Sequence, residues 1–188
     1  MAKKQFEKVV SPVVTAAYAW LSKPDEGQQY SDGKFKVTLV LDKEDPATEK
    51  FIKDLTAKSE AAAKGEWEKV PKALRFPFVD GDDNDEKEEF HGKYKITAKS
   101  KFKPGCVDSK RVSLPEGEEP RSGDLVRASL VLIPYKASGA YGVTCQLRNV
   151  QLVEKRNGGS SGANDDFDDI DGYTVPEKGS DDGEDGDF

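Results

Sequence analysis

The stretch KYKITAKSKFK, residues 93–103, constrains the chain more than any other. Successive side chains of a strand point to opposite faces. Five of the six odd positions here are lysine (Lys93, Lys95, Lys99, Lys101, Lys103), while Tyr94, Ile96, Ala98 and Phe102 fill even ones. As a strand, the segment presents a row of ammonium groups about 6.6–6.8 Å apart, twice the rise per residue. That spacing is close to one nucleotide step of an extended single strand, so successive phosphates could be neutralised with release of counterions. Lysine also guards edge strands against unwanted pairing, but one or two would serve that purpose.

The same alternation recurs in KFKVTLVL, 34–41, where Phe35, Val37, Leu39 and Leu41 share one face and Lys34, Lys36 and Thr38 the other. The segments LVRASLVLIPYK, 125–136, and YGVTCQLRNVQLVEK, 141–155, flank the short turn ASGA and read as a hairpin. In the second of these the apolar parity switches between Leu147 and Val150, which predicts a bulge near Arg148 and Asn149. VVTAAYAW, 13–20, is a further strand, ended by KPDEG. One helix stands out, with Asp45 as N-cap, Pro46 at its first position and Gly65 as its end. Phe51, Leu55 and Ala62 fall at helical spacing along it, with Ile52 beside them. Strands in this number with one inserted α-helix predict a mainly β chain, an OB-fold five-stranded barrel.

The net charge of −7 is unevenly placed. From Asn157 onward eleven acids face one base, Lys178, so that part carries −10 and residues 1–156 carry +3. A basic body joined to an acidic tail suggests nucleic-acid contact by one part and an interaction tail in the other. The run RNGGSSGAN, 156–164, has linker composition, and residues 165–188 are too charged and too poor in apolar side chains to fold alone. The expected division is a binding domain over 1–156 and a linker with a disordered acidic tail over 157–188. No apolar run reaches the length of a membrane span, and MAKKQFEKVV lacks a signal-peptide core, so a soluble intracellular protein without membrane contact is expected.

Exposed bases offer apolar faces, and stacking on aromatic side chains is worth about 1–3 kcal/mol per base. Tyr94, Phe102, Tyr135, Tyr141, Tyr18, Trp20, Phe76 and Phe78 are candidates, of which a small barrel needs most for its core. Tyr135 is favoured for exposure because it lies between Pro134 and Lys136 where a strand enters its turn. Lys72, Arg75, Lys136 and the terminal Lys3 and Lys4 add positive charge.

Other chemistries find little support. The acidic run VDGDDNDEKEEF, 79–90, fails as a calcium loop, since the sixth place from Asp80 is Asp85 and the twelfth is His91. Around Gly172 the first place is Phe167 and the twelfth Lys178, which fails likewise. Neither Cys106 nor Cys145 has a CxxC partner and His91 is the only histidine, so two packed free thiols are expected and no metal. Phosphate-loop, dinucleotide, nucleophile-elbow and zinc-protease motifs are all missing, which argues against an enzyme.

Several segments together resemble the single-stranded DNA-binding proteins of short-tailed phages of the autographivirus type. They are MAKK, AAYAWLSKPDEG, GKFKVTLVLDKEDP leading into a helix, SLVLIPYK with its following strand, and the acidic EDGDF. The resemblance implies an OB-fold body that binds single strands in DNA replication, recombination and repair, in the cytoplasm of the infected bacterial host and without a cofactor. It implies a homodimer, and an acidic tail (Asp181, Asp182, Glu184, Asp185, Asp187, Phe188) that docks on the phage DNA polymerase and helicase–primase. That tail would fold back over the DNA groove when DNA is absent. By position, Lys3, Arg75, Lys95 and Tyr135 fall where the family places DNA contacts, while Thr97 stands where an aromatic is expected.

On this reading the tail mimics phosphate by its charge, and Phe188 supplies an apolar anchor for a partner's pocket. Two other readings compete. One is an acidic-tailed chaperone or nucleic-acid mimic that binds basic proteins. The other is a metal-dependent nuclease using the acids from Asp80 to Glu89.

Overall fold

A computed structural model describes residues 6–26, 29, 31–83 and 86–156, all in the first of the two units into which the chain divides, Met1–Gly158. Lys3 and the acidic segment 181–188 lie outside the described residues. In chain order the strands are β1 (Lys8–Val10), β2 (Val14–Trp20), β3 (Phe35–Asp42), β4 (Leu74–Arg75), β5 (Val79–Asp80), β6 (Lys93–Ser100), β7 (Gly105–Val107), β8 (Leu125–Ala137) and β9 (Ala140–Glu154). The helix α1 (Pro46–Trp67) stands between β3 and β4.

Five of these strands close on themselves. β8 pairs with β2, β2 with β3, β3 with β6 and β6 with β9, and β9 returns to β8. The result is the expected OB-fold barrel, with β1, β4, β5 and β7 as short additions at its margins. Closure removes sheet edges that would otherwise invite pairing with other chains. β8 and β9 form one long hairpin about a two-residue turn, Ser138 and Gly139, both at positive φ (49° and 78°) as such a turn requires. The predicted bulge is present: Ser129 faces Asn149 and Leu130 faces Leu147, so Arg148 is the extra residue. A second bulge lies in β2, where Tyr18 takes a φ of 46° and the ring turns outward.

The alternating residues of β3, Val37, Leu39 and Leu41, fill the barrel with Ile96, Ala98, Leu130, Leu132, Val143 and Leu147. Phe51 and Leu55 of α1 join the same core. Asp45 caps the helix by accepting from the Ala47 N–H at 2.9 Å. Gly65 does not end it: α1 runs on to Trp67 and stops where Glu68 takes the left-handed conformation, φ 61°. The helix's inward face continues through Ser59 and Ala63, with Ala62 only half-buried beside them. Cys145 is buried in the core, and desolvation pushes its thiol up to about 12; Cys106, half-buried, is raised to about 11 for the same reason.

The described parts of the acidic run, 79–83 and 86–90, are anchored to the barrel. Gly81 donates to the Lys93 carbonyl at 2.8 Å, and a short 3₁₀ turn, Glu88–Phe90, tucks the Phe90 ring into the interior. A side chain at Gly81 would put its Cβ 1.9 Å from the Phe90 carbonyl oxygen, so the close approach requires glycine.

Candidate nucleic-acid interface

β6 alternates as the lysine spacing predicts, with Ile96, Ala98 and Ser100 buried and Thr97 and Lys99 exposed between them. Its full-length antiparallel ladder with β3 sets Lys36 opposite Lys99, Thr38 opposite Thr97, Val40 opposite Lys95 and Asp42 opposite Lys93 on the outer face. Thr97 is satisfied there by Thr38, their hydroxyls 3.2 Å apart, so a hydroxyl pair occupies the place where an aromatic was expected.

The strand ends sooner than the lysine pattern does. β3 begins at Phe35, opposite Ser100, so beyond Ser100 the ladder has no partner. The chain turns as the Phe102 N–H donates to Ser100 Oγ at 3.0 Å, and Pro104 comes next but one without an N–H to give. Lys101, Phe102 and Lys103 therefore sit on a loop, and Phe102 is 77% exposed. Tyr94 takes the inward parity. It packs against the core with its ring edge-on to Phe78 at 5.7 Å, away from the lysine row.

The row is not bare, and the pattern of the sequence does not reveal its partners. Lys99 donates to Asp32 at 2.6 Å, Lys95 pairs with Glu86 and lies 4.9 Å over the Phe90 ring, and Lys36 pairs with Asp25. Lys93 donates to the Glu89 carbonyl at 3.1 Å, and Lys103 pairs with Glu119 at 2.8 Å. The acids come from the connections on either side of the ladder. Hydrogen bonding from Lys99 holds Asp32 below the usual aspartate range, and Lys103 does the same for Glu119. Asp80 and Asp82 are both engaged by Lys43 and lowered chiefly by its hydrogen bonds. These two acids of the 79–90 run are thus committed to an ion pair. Among the described residues no group of three or more His, Cys, Asp or Glu converges as a metal site would need.

A second cationic sector lies beyond β9. The edge of β9 that faces away from β8 is paired in turn by β4 at 141–142, β6 at 145–146 and β7 at 149–151. This brings Arg75 beside Gly142, and Gly142 is also the partner of Tyr135 across the hairpin. Tyr135 is half-buried because its ring lies over Gly142, where an added Cβ would come within 2.6 Å of ring atoms. The exposed Lys136 places its ammonium 4.9 Å over the Tyr141 ring, and Trp67 meets that ring edge-on at 5.0 Å. Lys72 and Arg75 are exposed along a groove of about 900 Å³ between the end of α1 and the hairpin tip. Among the described residues neither they nor Lys136 has a carboxylate partner, unlike the row on β6. The structure thus assembles Lys93, Lys95 and Lys99 in one sector and Lys72, Arg75, Tyr135 and Lys136 in another. Arg75 and Tyr135 share the parity of the outer side of β9, where Gln146 faces Lys99, while Lys136 and Tyr141 hold the opposite parity.

A family model built on the single-stranded DNA-binding protein of Enterobacter phage Enc34 matches residues 7–178 of the chain. The chain belongs to that family. Among curated proteins, no sequence relative matches. The fold is similar to that of the Enc34 single-stranded DNA-binding protein solved in complex with single-stranded DNA. The TM-score is 0.66 at 21% identity, over 83% of this chain and 95% of that one. It is also similar to gp2.5, the single-stranded DNA-binding protein encoded by bacteriophage T7. There the TM-score is 0.60 at 24% identity, over 92% of this chain and all of that one. The family resemblance carried by the sequence segments thus holds, and at these identities the likeness to solved structures concerns the fold. Among the described residues no helix is long and apolar enough to cross a membrane.

Proposed function

We propose that the chain binds single-stranded DNA without sequence preference and catalyses no reaction. The observation that carries the reading is the outer barrel face, where cations regularly spaced along β6 lead across β9 to Arg75 and Tyr135. Family membership supports it. So does the general use of this fold, in which the second and third barrel strands, here β3 and β6, and the adjoining loops hold oligonucleotides. Lysines on a strand neutralise phosphates of any sequence, while a ring such as Tyr135 or Phe102 stacks on any base. Neither contact reads base edges, so the interaction is general.

On this reading the protein protects exposed strands and removes their secondary structure in phage DNA replication, recombination and repair, within the cytoplasm of the bacterial host. Lys3 adds a phosphate contact. The acidic end, Asp181 to Phe188, recruits the phage DNA polymerase and helicase–primase, and competes for the basic face when DNA is absent. The working form is a homodimer. Titrating fluorescent oligo(dT) and a blunt duplex into the full chain and a chain ending at Lys155, at two salt concentrations, tests this. Tighter binding of oligo(dT) than duplex, weakening steeply with salt and strengthened by the truncation, is the expected result. Equal affinity for duplex would refute single-strand preference, and no gain on truncation would refute competition by the tail.

A further inference from the structure

We propose that the groove between the end of α1 and the β8–β9 hairpin tip is a separate nucleotide subsite. In it Trp67 and Tyr141 hold a base, and Lys69, Lys72 and Arg75 hold the phosphates beside it. This rests on the single-strand reading above and adds to it a position for a base and two residues, Trp67 and Lys69.

The groove arises from how α1 ends. Glu68 reverses the chain at φ 61°, and Pro71 lies in the short connection before β4. β4 then runs parallel to β9, with Leu74 opposite Tyr141 and Arg75 opposite Gly142. The segment 68–73 therefore arches beside the hairpin tip, leaving an open space of about 900 Å³ walled by Trp67, Pro71 and Tyr141. That volume is at the upper end of what small-molecule sites enclose, about 300–1,000 Å³, and suits a nucleotide with room for its neighbours.

Its chemistry suits the same occupant. Trp67 and Tyr141 meet at 82°, forming a corner in which a flat base laid on one ring meets the edge of the other. Lys69, Lys72 and Arg75 line the groove, no carboxylate does, and none of the three has a carboxylate partner among the described residues. The carbonyl end of α1 contributes about half a negative charge, which three cations and the nearby Lys136 outweigh. On β6, by contrast, Lys95 and Lys99 already hold acids of this chain. The groove is thus a place where a phosphate meets several cations without first displacing a carboxylate. It is continuous with the sheet face, since Arg75 and Tyr135 share Gly142 as neighbour. An acidic peptide would satisfy the cations but has no flat ring for the aromatic corner.

The test uses the full chain and fluorescein-labelled oligo(dT) of 4, 8 and 12 residues. Lys93 to Lys99 spans about 20 Å, or three nucleotide steps, so the shortest probe fits on the sheet alone. The exposed Lys69→Ser, and separately Trp67→Leu, should leave binding of the 4-mer within about twofold and weaken the 12-mer about tenfold, the loss of one stacking or phosphate contact. In a Trp20→Phe background the 12-mer should quench Trp67 emission. An unchanged 12-mer affinity in both variants overturns the proposal, as does an equal loss at every length, which would mark Trp67 as packing only. Quenching by a polyglutamate peptide but not by the 12-mer also overturns it. If the unmodified chain binds no oligonucleotide of any length, the single-strand reading itself fails.

Discussion

Removing the acids that hold the lysine row should tighten DNA binding. In Asp32→Asn/Glu86→Gln the cations Lys99 and Lys95 lose their carboxylates, and both acids lie on connections, so the barrel core is untouched. With the acids in place, a phosphate must break each ion pair before it can replace it. Lys99 is 45% exposed in its side chain and Asp32 27%, so the pair sits in screened surroundings, and the more covered Lys95–Glu86 pair is still at the surface. Pairs of this kind are worth about 0.2–1 kcal/mol each. Two of them give about 0.4–2 kcal/mol, a gain in affinity of about 2- to 30-fold. Each lysine freed to meet a phosphate also adds about 0.7 to the magnitude of the salt slope of a single strand, so about 1.4 in all. Fluorescence anisotropy of oligo(dT) across a salt series reads both quantities. Glu49→Gln/Asp54→Asn, which removes two acids paired with Lys53 and Lys58 on α1, controls for the mere addition of two positive charges. Affinity and slope equal to those of that control would show that Lys95 and Lys99 meet no phosphate.

Three further outcomes are expected. Asp80 and Asp82 sit below their unfolded value of 3.8 because Lys43 donates to them, so their stabilisation is complete above pH 4 and lost as pH falls through their lower folded values; thermal melts from pH 5 to 2 should show a slope that Asp80→Asn/Asp82→Asn flattens. Gly142→Ala would drive a Cβ to within 2.6 Å of the Tyr135 ring, so that ring must swing off the strand, and near-ultraviolet dichroism together with weakened oligo(dT) binding should report it. Leu55→Ala empties a fully buried site shared by α1 and the barrel, and urea denaturation should show a loss of about 2–5 kcal/mol.

The barrel was legible because its principal strands carry period-two patterns that survive without tertiary context. Val37, Leu39 and Leu41, and Ile96 and Ala98, point inward as their spacing requires. The bulge at Arg148 was legible for the same reason, since a parity switch leaves an apolar residue stranded unless the backbone inserts one. What stayed hidden depends on contacts distant in sequence. The lysine pattern runs three residues past Ser100, but the strand stops where β3 stops, and nothing in residues 101–103 records where a partner ends. Asp25, Asp32 and Glu86 look like solvated loop acids until the folded ladder brings them to Lys36, Lys99 and Lys95. The groove rests on β4, a two-residue strand with no periodicity to detect, and on a helix that ignores Gly65 and carries Trp67 to the hairpin tip.

Photo-crosslinking with oligonucleotides carrying 5-iododeoxyuridine, followed by peptide mapping, tests most directly whether a single strand runs along the outer barrel face and into the groove. Adducts are expected on Phe102, Tyr135 and the Trp67–Tyr141 pair, and should disappear when excess unlabelled oligo(dT) is added. Adducts confined to Phe6 or Trp20, with none at those four rings, would contradict the proposed path.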